Sequence, residues 1–329
     1  HAKIETIDGT LTIDDPVNAL NDILLAAGGV GSDVVINAAV TSQNGAITAL
    51  AADSVLQNNN LSIAVGANAI LNSIYARAIA GAITMSGTAI SSTQGGNIVY
   101  EAATGVTLGS LQAGGGLVAV TAGTDILDGQ NDTVTHDAGT GLAVQTDDAR
   151  VANIVASGVR LESGASIGAI GNPLDLTVAT VAATAADDIY LYETDALIIG
   201  TVGPVTVTRV HLSSTTAPVV APALAGVTAA GGHAKVETIN GTLTINQPVN
   251  AQNDILLAAG GAASDVVINA AVTSQNGAIT ATGTRDVFQN ADLIVAVGAN
   301  PITNSIYVRA INGTITIGAG SAAITNGGN

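Results

Sequence analysis

Hydrophobic and polar residues alternate with a period of two along most of the chain, in runs of only a few residues. Examples are residues 10–13, 33–37 and 314–317, in which β-branched side chains are frequent. Gly, Asn, Asp or Ser residues bound each run, and the spacing of a helix is not sustained over a dozen positions. This pattern predicts short β-strands joined by tight corners, so the predicted fold class is all-β.

The strands recur within a recognisable phrase, in which a small or polar residue precedes a short aliphatic run. The phrase begins at Asn21, Asn44, Asn72 and Gly96, and its spacing of roughly 20–28 residues is typical of solenoids. Gly and Asn suit the corners between strands because both tolerate a positive φ. The sequence therefore predicts a parallel β-helix (β-solenoid) with coils of about 20–28 residues, each carrying two or three short strands.

A much longer repeat is superimposed on the coils. Residues 233–329 repeat residues 1–97 without a gap, at an offset of 232, and about two thirds of the aligned positions are identical. We therefore divide the chain into a first full repeat module, 1–232, of a continuous solenoid and a partial second copy, 233–329. The second period is incomplete and no signal segment is visible, so we expect an excerpt of a longer array.

Composition narrows the classes of function. The apolar residues are mostly small, with one Phe and no Trp, which suits a narrow core of stacked aliphatic side chains. The net charge is −17 and the eight basic residues form no stripe, which excludes nucleic acid as a partner. The absence of Cys excludes disulfides and thiolate metal sites. No apolar run is long enough for us to expect a membrane-spanning segment.

The best candidate for a metal site is an acidic stretch in the middle of the chain. Asp125, Asp128 and Asp132 lie close together in a turn-rich segment, with Asp137 nearby. Calcium prefers several hard oxygen ligands on such a loop, and residues 123–129 partly match the calcium-binding nonapeptide of β-helices. We therefore name Asp125, Asp128 and Asp132 as a candidate calcium site, with a solvated corner as the alternative. No other cofactor is predicted.

Two further groups of charged residues favour simpler explanations. Asp8, Asp14 and Asp15 become Asn240, Asn246 and Gln247 in the second copy, so we predict an ordinary surface there (the neutral residues would weaken a cation site). A row of His, Lys and Glu begins each copy, and we expect an exposed strand with weak ion pairing.

The acidic group around residues 187–195 is the place where an enzyme or a glycan-binding groove would be sought. Asp187, Asp188, Glu193 and Asp195 lie beside Tyr190 and Tyr192. Hydrolysis of a glycoside needs two carboxyl groups facing each other across the bond, and only these two tyrosines could offer aromatic platforms. We predict that the chain is not an enzyme.

The recurring phrase, a small or polar residue followed by a short aliphatic run, resembles the filamentous-haemagglutinin-type β-strand repeats of large bacterial exoproteins. The residues that carry the resemblance are 96–100, 106–109, 125–129, 159–161 and 193–200. The resemblance covers nearly the whole chain and consists mostly of alternation and turn chemistry. It implies a right-handed parallel β-helix exported to the bacterial cell surface, and it brings no catalytic residues.

We therefore expect an extracellular structural segment of a long fibre, matrix protein or adhesin stalk. Its partners would be further copies of the same repeat, associating end to end or laterally. The alternative is a module that binds surface glycans or host molecules, through a groove at Tyr190 and Tyr192 or through a protruding loop at 213–232. A carbohydrate-active β-helix enzyme is a distant third.

Overall fold

The computed structural model describes residues 1–130, 135–144, 151–213, 215–298 and 300–329. Every regular element in these ranges is a β-strand, and most strands stack in parallel as the coils of a β-solenoid of about 13 turns. The predicted all-β parallel β-helix is thus confirmed. No membrane-crossing helix is found in the part of the chain that the structure describes.

A complete coil has three strands, which we call A, B and C in chain order. The A strand usually has five residues, and the B and C strands usually have three. Small and polar residues at the corners separate them, as the alternation predicts.

The chain forms two compact units. The first comprises His1–Asn131, Val151–Ser163 and Gly203–Ala223. Its coil strands are β1 Ala2–Thr6, β2 Leu11–Ile13, β3 Val17–Ala19, β4 Ile23–Ala27, β5 Val34–Ile36, β6 Val40–Ser42, β7 Ile47–Ala51, β8 Val55–Gln57, β9 Leu61–Ile63, β10 Ile74–Ala78, β11 Ile83–Met85, β12 Ile90–Ser92, β13 Ile98–Ala102, β14 Val106–Leu108, β15 Ser110–Gln112, β16 Leu117–Ala122, β17 Ile126–Asp128 and β20 Ile154–Ser163.

The second unit comprises Asp132–Arg150, Gly164–Val202 and Leu224–Asn329. It begins with the short antiparallel pair β18 Thr135–His136 and β19 Ala143–Val144. Its other strands are β21 Leu174–Ala185, β22 Ile189–Glu193, β23 Leu197–Ile199, β24 Thr201–Val202, β27 Leu224–Ala225, β28 Val227–Ala229, β29 Ala234–Thr238, β30 Leu243–Ile245, β31 Val249–Ala251, β32 Ile255–Ala259, β33 Val266–Ile268, β34 Val272–Ser274, β35 Ile279–Gly283, β36 Val287–Gln289, β37 Leu293–Val295, β38 Ile306–Ala310, β39 Ile315–Ile317 and β40 Ala323–Thr325.

Aliphatic side chains stack in columns through the interior of each unit. Strand pairing places equivalent residues of successive coils directly above one another, and these side chains are almost completely buried. The column at the start of the A strands consists of Ile23, Ile47, Ile74, Ile98 and Val118. Burial of such columns supplies the main stabilisation of a solenoid, since each coil contacts only its neighbours.

The strands of the second copy repeat those of the first at the offset that the sequence shows. Eleven of the twelve strands from β1 to β12 reappear 232 residues later with the same bounds. The exception is β40, Ala323–Thr325, which begins one residue later than Ile90–Ser92 would predict. Its register is nevertheless the same, because Ser91 pairs with Leu61 and Ala323 pairs with Leu293.

Candidate functional site

Two of the candidate calcium residues, Asp125 and Asp128, lie at the two ends of strand β17. Asp128 is nearly buried at the end of β17, where Ile126 also points inward. Its Oδ1 accepts hydrogen bonds from the backbone amide of Gln130 at 2.7 Å and from Asn153 Nδ2 at 2.5 Å. Asp125 lies at the corner before β17, where its carbonyl oxygen accepts the Val106 amide at 2.8 Å. The Asp128 carboxylate therefore links neighbouring segments of the first unit.

Calcium binding at this acidic stretch stays a prediction. Asp132 lies outside the described residues. Asp137 closes its own turn, because its Oδ1 accepts the Thr140 amide at 2.7 Å and the Thr140 hydroxyl at 2.8 Å. These hydrogen bonds hold the pKa of the Asp137 carboxyl below its usual value. Within the described ranges, no three His, Asp or Glu side chains form a group that could hold a metal ion.

Aspartates at the coil corners accept hydrogen bonds from the backbone of the next coil. Asp22 Oδ1 accepts the Ala46 amide at 2.8 Å, and Asp254 Oδ1 accepts the Ala278 amide at 2.7 Å at the equivalent place in the second copy. Asp188 Oδ1 accepts the His233 amide at 2.7 Å in the same manner. Charged acceptors make stronger hydrogen bonds than neutral ones, so part of the negative charge of the chain serves the fold.

The acidic group at the start of the first copy contains a ladder of side-chain hydrogen bonds. Asn37 Nδ2 donates to Asp14 Oδ1 at 2.8 Å, and Asn58 Nδ2 donates to Asn37 Oδ1 at 2.8 Å. In the second copy, Asn269 Nδ2 donates to Asn246 Oδ1 at 2.9 Å. Asp14 and Asn246 therefore have the same role, because an amide oxygen accepts this hydrogen bond as a carboxylate oxygen does. The change of charge is visible in the sequence, whereas this shared role depends on the contacts in the fold.

Glu193, at the end of β22, is completely buried. Its carboxylate accepts the amides of Val178 at 3.0 Å, Thr194 at 3.0 Å and Asp195 at 3.4 Å. Burial raises the pKa of Glu193 to about 8, although these amides favour the charged form and lower it. The buried Glu193 side chain holds the corner after β22.

Glu193 and Asp188 lie at opposite ends of β22. Five residue steps of extended strand separate them by ~16 Å along the chain, whereas the paired carboxyl groups of a glycosidase lie about 5–9.5 Å apart. Asp195 is exposed while Glu193 is buried. This arrangement does not bring the predicted carboxylates into a facing pair.

The two tyrosines that could line a binding groove are mostly covered. Tyr192 is 2% exposed and Tyr190 is 8% exposed. Tyr190 does line a pocket of about 230 Å³, together with Ile170, His233, Ala234, Lys235, Asp254 and Leu256. The pocket lies below the usual size of small-molecule sites, about 300–1,000 Å³, and neither ring offers an open face for stacking on a sugar.

The Lys–Glu pairs that begin the two copies differ in environment. Lys3 Nζ lies 3.1 Å from Glu5 Oε2, and the Glu5 side chain is 36% exposed. Lys235 Nζ lies 2.8 Å from Glu237 Oε2, but the Glu237 side chain is only 1% exposed. His136 Nε2 also lies 3.0 Å from Glu237 Oε2. The expectation of an exposed, weak pair is wrong for the second copy, because strand β29 is paired on both sides and His136 approaches the pair.

Residues 213–232 do not form the single protruding loop that the sequence predicts. Strands β25, Val205–Val210, and β26, Thr216–Ala221, form an antiparallel hairpin in the first unit. Val227–Ala229 returns to the solenoid as β28. The hairpin lies against the outward face of the A strands, where Val205, Val207 and Ala221 pack on Tyr75, Val99 and Ala119. The tip residue Val210 packs on Leu24, Ala26 and Ala46.

Polar side chains of three successive coils fix the hairpin on this face. Asn97 Nδ2 donates to the Thr206 carbonyl at 2.8 Å. The Thr208 amide donates to Ser73 Oγ at 2.8 Å, and the Val210 amide donates to Thr48 Oγ1 at 2.9 Å. We call Leu24, Ala26, Ala46, Thr48, Ser73, Tyr75 and Asn97 the hairpin seat.

The sequence carries a signal for the seat, namely A strands that are continuously apolar. Strand β4 is apolar at all five positions and buried at all five. A strand with one face in water normally alternates, whereas a strand covered on both faces is continuously apolar. The run Ile98, Val99 and Tyr100 in β13 has the same character.

Comparison of the chain with protein-family models, with curated proteins and with solved structures finds no match.

Proposed function

We propose that the chain is a structural segment of a long extracellular fibre, matrix protein or adhesin stalk at the bacterial cell surface. It would be built from tandem copies of the 232-residue repeat, with further copies of the repeat as its partners. The observation that carries the proposal is the recurrence of eleven strands with identical spacing in the two copies. Because the strands have the same spacing, a coil of one copy can take the place of the equivalent coil of another copy in the stack.

The terminal coils have the edges that such stacking requires. Among the described strands, β1–β3 pair only with the coil of β4–β6, and β38–β40 pair only with the coil of β35–β37. Ile317 is 61% exposed at this edge, whereas its counterpart Met85 is 2% exposed between two coils. A further coil on β39 would cover such apolar side chains and pair the open strand edges.

The proposal is tested by completing the second repeat. A copy of residues 98–232 added directly after Asn329 continues the repeat in phase, because Asn329 corresponds to Asn97. In this two-repeat chain, the open-edge amides of β38–β40 should gain backbone partners. We expect their hydrogen exchange to slow by about a hundredfold or more, toward the rates of the equivalent amides in β10–β12.

Matched substitutions separate coil stacking from a nonspecific effect of added length. Ile317→Lys places a charge at the inward position, and Thr316→Lys places it at the neighbouring outward position, equivalent to exposed Thr84. The first variant should lose the slowed exchange and the second should keep it. Exchange in the two-repeat chain as fast as in the original chain would contradict the proposal.

The alternative, a module that binds glycans or host molecules, has one structural observation in its favour. The pocket at Tyr190 contains the polar side chains of His233, Lys235 and Asp254, which could bind hydroxyl groups. Saturable binding of an oligosaccharide on a glycan array, abolished by His233→Ala with Asp254→Ala, would favour that alternative. Release of shortened sugars would instead favour the carbohydrate-active enzyme.

A further inference from the structure

One column on the outward face of the A strands is covered in the first copy and at least partly exposed in the second, where it consists of Leu256, Thr280 and Tyr307. Tyr75 is 1% exposed beneath the hairpin, whereas its counterpart Tyr307 is 54% exposed. Tyr307 lies on the terminal coil, but the difference extends to coils that have neighbours on both sides. Thr48 is completely buried and its counterpart Thr280 is partly exposed. Coil stacking therefore does not account for the difference between Thr48 and Thr280, and Thr48 is the residue that lies beneath the hairpin.

The second copy retains every residue of the hairpin seat. Drift elsewhere is substantial, since residues 51–60 keep only Val55, Gln57 and Asn58 in their counterparts 283–292. The seven counterparts of the seat are identical in residue type, namely Leu256, Ala258, Ala278, Thr280, Ser305, Tyr307 and Asn329. We call these seven residues the second seat.

We propose that the second seat binds a further copy of the β25–β26 hairpin, carried by the part of the second repeat that is equivalent to residues 98–232. The inference rests on the proposed tandem function and names the partner of this face. The hydroxyl groups of Thr280 and Ser305 would accept the hairpin amides that Thr48 and Ser73 accept in the first copy. The side chain of Tyr307 would pack against the equivalents of Val205 and Val207.

The segment 135–144 does not occupy the hydrogen-bonding part of the second seat. It contacts the second unit at other positions, where Arg309 Nη1 donates to the carbonyls of Gly139 and Thr140 at 3.4 Å and His136 approaches Glu237. One contact beside the seat does change, because Leu50, which packs near Val210, is replaced by Thr282. We therefore expect the second seat to hold the tip of the hairpin less tightly than the first seat does.

Thiol labelling tests the proposal, because the chain contains no Cys. Thr48→Cys and Thr280→Cys each place one Cys at an equivalent position. The hairpin covers only the first of these positions. In the original chain, we expect the Cys at 280 to react with a maleimide about tenfold or more faster than the Cys at 48, since only the latter needs local opening. In the two-repeat chain, the Cys at 280 should slow to the rate of the Cys at 48.

A second two-repeat chain identifies the cause of any slowing. In it, the added segment equivalent to 203–223 is replaced by a short Gly/Ser loop, and the Cys at 280 should remain fast. If the Cys at 280 still reacts rapidly with the maleimide when the hairpin is present, the proposal is wrong. Equal slowing with and without the hairpin would also overturn it.

Hydrogen exchange of β38–β40 in the same chains keeps the two proposals apart. Slowed exchange together with a fast Cys at 280 would contradict the hairpin proposal and leave the tandem function standing. Unchanged exchange would contradict the tandem function itself.

Discussion

Polar side chains at the coil corners chiefly form hydrogen bonds with neighbouring coils. Asp22, Asp188 and Asp254 each accept a backbone amide from the following coil. Each of these carboxylates satisfies an amide at a corner, where strand pairing supplies no partner. Asp14 and Asn246 show the consequence for evolution of the repeat, because either residue type can end the asparagine ladder. Net charge can therefore drift between copies while the hydrogen bond is kept.

Buried Glu193 predicts that stability depends on pH. Its pKa is raised from the ordinary 4.5 to about 8 by burial, so the folded chain keeps a proton that the unfolded chain loses within that window. Stability should fall as the pH rises from about 4.5 to about 8, by on the order of a few kcal/mol. Glu193→Gln cannot titrate and should flatten this dependence, measured as the thermal midpoint against pH.

Glu5→Gln is the matched control for that measurement, because Glu5 is 36% exposed on the first A strand. It should leave the fall in midpoint between pH 4.5 and 8 unchanged. A Glu193→Gln chain whose midpoint still falls with the slope of the original chain would show that another group is responsible.

The hairpin β25–β26 covers A strands of the first copy, whose equivalents lie within residues 233–329. It supplies the second cover that a continuously apolar strand such as β4 needs. Antiparallel pairing within the hairpin is local, but its seat lies more than a hundred residues earlier in the chain, as the Asn97–Thr206 hydrogen bond shows. The hairpin can therefore form locally, whereas its seat depends on contacts between segments that are distant in the sequence.

Tyr75 and Tyr307 measure what the hairpin and a further coil contribute together, because Tyr307 lies on the terminal coil. Tyr75→Ala removes a buried ring packed on Val205 and Val207, so we expect a loss of about 3–5 kcal/mol. Tyr307→Ala removes a ring that is 54% exposed and should cost less than about 1 kcal/mol. Urea unfolding of the two variants under one set of conditions checks the difference, and equal losses would contradict it.

At the scale of the whole molecule, two compact units share one kind of coil. The lengths of the A, B and C strands recur from β1–β3 to β38–β40, and the interior columns are filled by small aliphatic side chains. This regularity, together with polar corners that serve the backbone, supports a structural role more directly than any cluster of reactive groups does.

Calcium is the remaining prediction at this scale. If Asp125, Asp128 and Asp132 bind the ion, EDTA should lower the thermal midpoint and added calcium should restore it, because a ligand stabilises the state that binds it. Asp125→Asn should abolish that response, while Asp8→Asn, at a corner outside the candidate site, should preserve it. An EDTA-insensitive midpoint in the original chain would contradict the calcium hypothesis.

The sequence by itself determined the class of fold, the size of the coil and the 232-residue period. These properties are local or periodic, because alternation, corner chemistry and burial of one strand face repeat from coil to coil. It did not determine that Asp128 points inward to Asn153, that Glu193 is buried, or that the hairpin covers Tyr75 and leaves Tyr307 open. Those outcomes depend on which distant segments meet, and residues as alike as Tyr75 and Tyr307 acquire different environments only when the chain folds.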